Sequence, residues 1–135
     1  MSEFVSKDGT WSIAVTSPSR ADTPVLKIPN LTQGNVIRIT ANFFGSPDSG
    51  FYYDVKSTNN DVTAMSPTGG LIQGAGGWQA CTRIVFFKVT NISSQTGVED
   101  ADFEVLFSQG DLDGKGRLSN FLLGGEVVST VTAGA

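Results

Sequence analysis

The sequence predicts an all-β protein, a single antiparallel β-sandwich domain of about eight or nine strands over residues 1–135. Apolar and polar residues alternate in many short segments, which is the period of a half-buried strand. Turn-forming residues recur about every eight to twelve positions, a spacing typical of sandwiches and small barrels. No segment repeats apolar residues at helical spacing behind a capping residue, so we expect no helix.

Two strands in the first half of the chain have clear alternation, Asn35–Phe44 and Phe51–Lys56. Trp11–Thr16 has the same period and is also predicted to be a strand. Val25–Ile28 is flanked by proline on both sides, and proline cannot donate to a sheet ladder. We therefore expect a short edge strand there.

Thr82–Ile92 is the strongest strand of the second half, because its apolar run is nearly continuous. Such a run predicts a strand that is covered on both faces. The other predicted strands are Val62–Met65, Phe103–Ser108, Leu118–Leu123 and Val127–Thr132, the last two separated by a glycine pair.

The tail Val127–Thr132 is rich in β-branched residues and carries no charge. A free edge of this kind would invite uncontrolled pairing, so we expect it to pair within the sheet or to be covered by a neighbouring copy. The second possibility predicts a symmetric homo-oligomer.

The run Leu118–Gly124 resembles the last strand of the C1q and tumour-necrosis-factor jelly rolls, where a Ser-x-Phe segment leads into small and apolar residues. The resemblance covers six or seven positions, and this chain continues through Glu126–Thr132 beyond the point where those families usually end. It implies a jelly-roll-like sandwich and a trimeric assembly. The alternative from the turn spacing alone is a closed barrel.

The composition is that of a globular chain, with 39% hydrophobic and 16% charged residues. The formal net charge is −4 and the nine Lys and Arg residues are scattered singly, so no basic patch for nucleic acid or anionic membranes is predicted. The N-terminus has no apolar signal segment, and no run is long enough to span a membrane. We expect a soluble protein synthesised in the cytoplasm, with leaderless release left open.

The chain has no histidine, which excludes Ser-His and Cys-His triads and a His-ligated zinc site. Its lone Cys81 excludes an intramolecular disulfide. The acidic run from Glu99 to Glu104 has the composition of a solvated connection, so we predict a non-enzymatic protein without an obligatory cofactor.

Gly110–Arg117 resembles a calcium loop only superficially. Counted from Asp111, the fifth position is Lys115 and the twelfth is Leu122, where an EF-hand needs oxygen ligands. A glycine-rich turn is the favoured interpretation. The alternative is an irregular calcium site shared between loops and formed by Asp100, Asp102, Asp111 and Asp113.

The least ordinary segment is GGLIQGAGGWQA, Gly69–Ala80. Its glycines do not match a nucleotide-binding loop, because the third glycine of G-x-G-x-x-G would fall on Gln79. Trp78 could present its indole face to a sugar ring, or it could fold back into the core. The predicted ligand-binding residues are Gly76, Gly77, Trp78, Gln79, Asn59 and Asn60.

These observations predict a lectin-like carbohydrate-binding module that acts as a homo-oligomer. The alternative is a structural or interaction subunit of a larger assembly, such as a virus particle, an appendage or a toxin complex, with no small-molecule ligand. The possible partners are thus a glycan, another protein or further copies of the chain.

Overall fold

In a computed structural model of the chain, two antiparallel β-sheets pack face to face around an apolar core. The structure describes residues 3–7, 11–12, 25–46, 50–72, 77–109 and 117–131. The strands are β1 (Glu3–Lys7), β2 (Trp11–Ser12), β3 (Leu26–Leu31), β4 (Asn35–Ser46), β5 (Phe51–Ser57), β6 (Val62–Ala64), β7 (Gly69–Ile72), β8 (Gln79–Val89), β9 (Glu99–Gln109) and β10 (Arg117–Thr130). The predicted antiparallel β-sandwich is confirmed, and no described residue lies in a helix.

The larger sheet has the strand order β1-β10-β4-β8-β6, with the two-residue β2 also paired to β10. The smaller sheet has the order β3-β9-β5-β7. Apart from β2 and β6, the strands pair in a nested series: β1 with β10, β3 with β9, β4 with β8 and β5 with β7. This nesting is the topology of a jelly roll.

Strand β9 begins at Glu99 rather than at Phe103, so the prediction that the acidic run forms a solvated connection is wrong. Three further differences concern whole strands. The first is β1, which the sequence analysis did not predict, and the second is β7, which lies inside the glycine-rich segment assigned to a loop. A Cβ atom at Gly69 would overlap the carbonyl oxygen of Tyr53, so glycine lets β7 lie close to β5. The third is β10, which is unbroken where a glycine pair was expected to separate two strands.

Both glycines of that pair accommodate neighbouring side chains. Gly125 faces the core, where an added Cβ would lie 2.8 Å from Ile39 Cδ1 and 3.1 Å from Leu26 Cδ2. Gly124 faces outward beneath the ring of Phe4, which would lie 2.9 Å from an added Cβ. Side chains from β1, β3 and β4 thus lie where side chains at positions 124 and 125 would otherwise be. Glycine at both positions lets strand β10 continue past them.

Two of the predicted strands extend beyond the described residues. Trp11 and Ser12 form β2, and the rest of Trp11–Thr16 lies outside the described ranges. The predicted tail strand forms the second half of β10, where Val127 pairs with Ile37 of β4. The predicted edge strand at Val25–Ile28 is confirmed, because β3 is the outermost strand of the small sheet.

Aromatic rings fill one half of the core. Phe43 lies 5.5 Å from Phe107 and 6.4 Å from Phe51 between ring centroids, in both cases edge to face. Phe121 packs against the same rings from β10. Burial of each ring contributes roughly 1.5–3 kcal/mol, so this cluster is a main attachment between the sheets.

Among the described residues, no helix is long and apolar enough to cross a membrane.

Candidate functional site

The outer face of the large sheet carries exposed apolar side chains. Ile84 is 51% exposed and Phe86 is 37% exposed, although both lie in the middle of β8. Val85 and Phe87 point the other way and are buried. The prediction that both faces of this strand are covered is therefore wrong for the single chain.

Trp78 lies at one end of this outer face and is 48% exposed. Its ring stacks on Phe44, with centroids 5.8 Å apart and planes inclined by 23°. The register explains the contact, because Phe44 pairs with Ala80 two residues after Trp78. The indole is thus outside the core and is held by a second aromatic ring, which is the arrangement expected of a ligand platform.

A shallow depression of about 380 Å³ lies beside Phe44. Its polar lining comes from Ser6, Asn42 and Asn120, and its apolar lining includes Leu122. Asn42 Oδ1 accepts a hydrogen bond of 2.6 Å from the hydroxyl of Thr82, which holds the carboxamide in place. An aromatic platform next to carboxamides can bind a ligand that has both an apolar face and hydroxyl groups.

Sequence reasoning missed Phe44, Asn42 and Asn120 as site residues. A signal for the first two was present, because the alternation in Asn35–Phe44 places even-numbered residues on one face. For Asn120 there was no local signal, since its position opposite Phe44 depends on the pairing of β10 with β4.

Three predicted ligand residues flank the indole in the chain. Gln79 begins β8 and is exposed. Gly77 has a φ of 73°, a conformation that glycine adopts without strain, and it leads directly into Trp78. Gly76 lies outside the described residues.

The two predicted asparagines, Asn59 and Asn60, lie far from Trp78. They precede β6, in which Val62 pairs with Val89 at the far end of β8. Because β8 has eleven residues, its ends are about 33 Å apart. The structure therefore does not bring these asparagines and Trp78 to one surface.

Asn59 belongs instead to a polar network at the opposite end of the sandwich. Its Nδ2 donates to Glu99 Oε2 at 2.6 Å and to the carbonyl of Asp100 at 2.9 Å. The backbone N–H of Ser93 donates to both Asp61 Oδ2 and Glu99 Oε1, at 3.0 and 2.8 Å. Hydrogen bonds from Ser93 lower the pKa of Asp61 below its ordinary value of 3.8, and burial opposes this shift. The network joins the connections around β6 and β9, which gives Asn59 a structural role.

Of the four acidic residues considered for calcium, the structure describes Asp100 and Asp102. Among the described residues, no group of three or more acidic or sulfur side chains is placed to hold a metal ion. Asp100 Oδ1 accepts a bond of 3.2 Å from the backbone of Asn30. Asp102 lies opposite Lys27 in the small sheet, and its buried Oδ1 has no hydrogen-bond partner among the described residues. Asp111 and Asp113 lie outside the described residues.

Cys81 is half-buried on the inner side of β8. Burial raises the pKa of its thiol, and the nearby Arg83 opposes that shift. Because the thiolate is the reactive form, this cysteine is a poor nucleophile at neutral pH.

The chain matches no model of a known protein family, and a search of curated proteins finds no match to it.

Proposed function

We propose that this chain is a non-enzymatic, lectin-like carbohydrate-binding module that acts as a homo-oligomer. One observation carries the sugar site: the exposed indole of Trp78, stacked on Phe44 beside a depression that contains Asn42 and Asn120. The C–H face of a sugar ring stacks on an aromatic platform, and carboxamides bond the ring hydroxyls.

The stacking on Phe44 supports this proposal energetically. A ring that already has a fixed orientation loses little conformational freedom when a ligand binds, so more of the contact energy is available for affinity. A single shallow site of this kind binds weakly. Several copies in one homo-oligomer engage a glycan surface together, and avidity then supplies the useful affinity.

A second candidate function is a structural or interaction subunit of a larger assembly with no small-molecule ligand. The exposed Ile84 and Phe86 favour it, because contiguous apolar surface on a folded protein marks interaction sites. Both candidates use the same sheet face but different parts of it.

A glycan array, run with and without calcium, tests the proposal. We expect the wild-type protein to bind a restricted set of glycans and Trp78→Ala to weaken that binding by about five- to 150-fold, the equivalent of roughly 1–3 kcal/mol for a lost stacking contact. Tyr52→Ala is the matched control, because Tyr52 is a similarly exposed aromatic on the outer face of the other sheet.

The melting temperature of Trp78→Ala, followed by circular dichroism because the substitution removes one of the chain's two indoles, should change little. A fall of many degrees would contradict a platform role and assign Trp78 to the core. If no glycan is bound under either condition, the interaction-subunit function replaces the lectin-like one.

A further inference from the structure

We propose that two copies of this chain pack through the outer faces of their large sheets, around a two-fold axis that runs along β4. This rests on the homo-oligomer part of the proposed function and is independent of the sugar site. One row of residues crosses the sheet through the proposed axis, the ladder partners Phe4, Gly124, Thr40 and Ile84.

One side of β4 carries a recess. A depression of about 200 Å³ lies between Phe4 and β4, with Leu122, Gly124 and Glu126 of β10 and with Arg38, Thr40 and Asn42 of β4 in its lining. A cavity of about 150 Å³ holds a benzene molecule. The recess therefore has room for one branched aliphatic or aromatic side chain.

The other side of β4 carries projections. Ile84 and Phe86 stand on β8, in the rows of Thr40 and Arg38 respectively. Met65 adjoins them, since its backbone N–H donates to the carbonyl of Phe86. These three side chains are exposed in the single chain.

The recess and the projections are symmetric about β4. Strands β10 and β8 flank β4 on opposite sides, each about 4.8 Å away. A rotation of 180° about an axis along β4 places the Ile84 of one copy over the recess beside the Gly124 of the other, and Phe86 over Glu126. The reverse contacts form at the same time. This is the self-complementarity that an isologous interface requires.

The size of the face is sufficient for a specific dimer. Strands β10, β4 and β8 lie about 4.8 Å apart and pair along the eleven residues of β8, so their outer face spans roughly 500 Å² in projection per copy. The relief of the side chains makes the accessible area larger than the projected area. Two copies therefore bury about the 1,000 Å² that a specific interface needs.

The charges of the face also favour a second copy over a charged partner. The described charged side chains there are Arg38, Glu126 and Lys88, and the first two form an ion pair with each other. The pair can be covered without leaving a lone charge from either residue. A partner with a similarly apolar face is needed, and this chain supplies one.

The sugar platform lies at the rim of this contact. Ala80, which is in the row of Phe44, is four residues before Ile84, or about 13 Å along β8. Asn42 and Leu122 line both the recess and the depression beside Phe44, whereas Trp78 and Ile84 line neither, so the two sites are altered separately through Trp78 and Ile84.

The first test is the solution mass of the wild-type chain and of matched variants, measured by sedimentation equilibrium at micromolar concentration. We expect two copies for wild type and for Leu71→Lys, a control on the outer face of the small sheet. We expect Ile84→Lys to weaken dimerisation by about tenfold or more. Phe86→Ser should do the same if Ile84→Lys fails to fold.

The second test locates the axis. In a Cys81→Ser background, Thr40→Cys should be cross-linked to its own copy by a short bifunctional maleimide, because Thr40 lies on β4 at the axis. Lys56→Cys, on the outer face of the small sheet, should not be cross-linked.

A monomeric or trimeric wild-type chain would overturn the proposal, as would a folded Ile84→Lys variant that stays dimeric or a Thr40→Cys variant that is not cross-linked. Trp78→Ala should remain dimeric, and Ile84→Lys should keep sugar binding at a single site. A failed sugar site and a failed interface are thus distinguished.

Discussion

The outer faces of the two sheets are built from the same alternation of residues but differ in chemistry. On the small sheet, Lys27 lies opposite Asp102 and Lys56 lies opposite Glu104 on neighbouring strands. Opposite charges at such positions stabilise a sheet, and here the side chain of Glu104 is buried rather than in contact with water. On the large sheet, the corresponding positions in β8 hold Ile84 and Phe86.

This difference shows what periodicity alone cannot distinguish. An apolar residue at an outward position is as compatible with strand geometry as a lysine, since both fit the pleat. The outer face of the small sheet combines facing opposite charges with the exposed Tyr52 and Leu71. The large sheet leaves apolar area exposed, and its outer face is where both proposed functions reside.

The largest expected effect is a difference in stability between substitutions at two neighbouring residues of β8. Phe87→Ala should lower the free energy of unfolding by about 3–5 kcal/mol, because Phe87 is buried and packs edge to face on Phe103 at 5.1 Å. Phe86→Ala should change it by only about 0.5 kcal/mol. Urea unfolding in the Ile84→Lys background makes the comparison in the monomer. Equal effects would show that the outer face is packed like the core.

The second comparison uses the two glycines of β10. Gly125→Ala should lower the free energy of unfolding by about 1–3 kcal/mol, because the added Cβ enters the space of Ile39 and Leu26. Gly124→Ala should be neutral or stabilise by up to about 0.5 kcal/mol, since the ring of Phe4 is 63% exposed and can move away. Thermal melts of both variants check this, and a reversed order would contradict the assigned directions of the two positions.

The third expectation concerns pH and the polar network next to the small sheet. The pKa of Asp61 is lowered in the folded state, so its contribution to stability is present above its ordinary value of 3.8 and is lost as the pH falls through the folded value. Asp61→Asn should be less stable than wild type at neutral pH. The difference in the free energy of unfolding between the two proteins should be smaller at about pH 3, as measured by urea titrations. Parallel pH profiles for the two proteins would argue against this role.

The smallest effect is expected at the ion pair between Arg38 and Glu126 on the large sheet. Both side chains are partly exposed, so the pair should contribute no more than about 1 kcal/mol. A double-mutant cycle with Arg38→Met and Glu126→Gln, made in the monomeric Ile84→Lys background, measures it. A much larger coupling there would show that the pair is shielded from water in the single chain.

Most of the sandwich could be predicted from sequence because its central strands have unambiguous alternation. Asn35–Phe44 is the clearest case, and it became β4 with its odd-numbered apolar residues inward. The errors occurred where a local signal and a tertiary contact disagree. The glycines at 124 and 125 have the composition of a turn, but packing against Phe4 and Ile39 keeps them in a strand.

The candidate site was only partly predictable for a similar reason. Trp78 could be singled out because a large aromatic after a glycine-rich segment is unusual. Two other features of the site depend on strand pairing, which no local pattern specifies. Phe44 supports Trp78 because β4 pairs with β8, and Asn120 lies nearby because β10 pairs with β4. The assignment of Asn59 to the same surface had no such pairing behind it.

The nested pairing of strands has a consequence for how the chain is made. Phe4 and its ladder partner Gly124 are about 120 residues apart. A ribosome adds about 5–20 residues per second, so β1 emerges roughly 6 to 24 s before the strand it pairs with. The innermost pair, β5 with β7, is complete long before that, followed in order by the pairs that enclose it. During synthesis the jelly roll is therefore assembled from its middle outward, and its first strand is the last to find a partner.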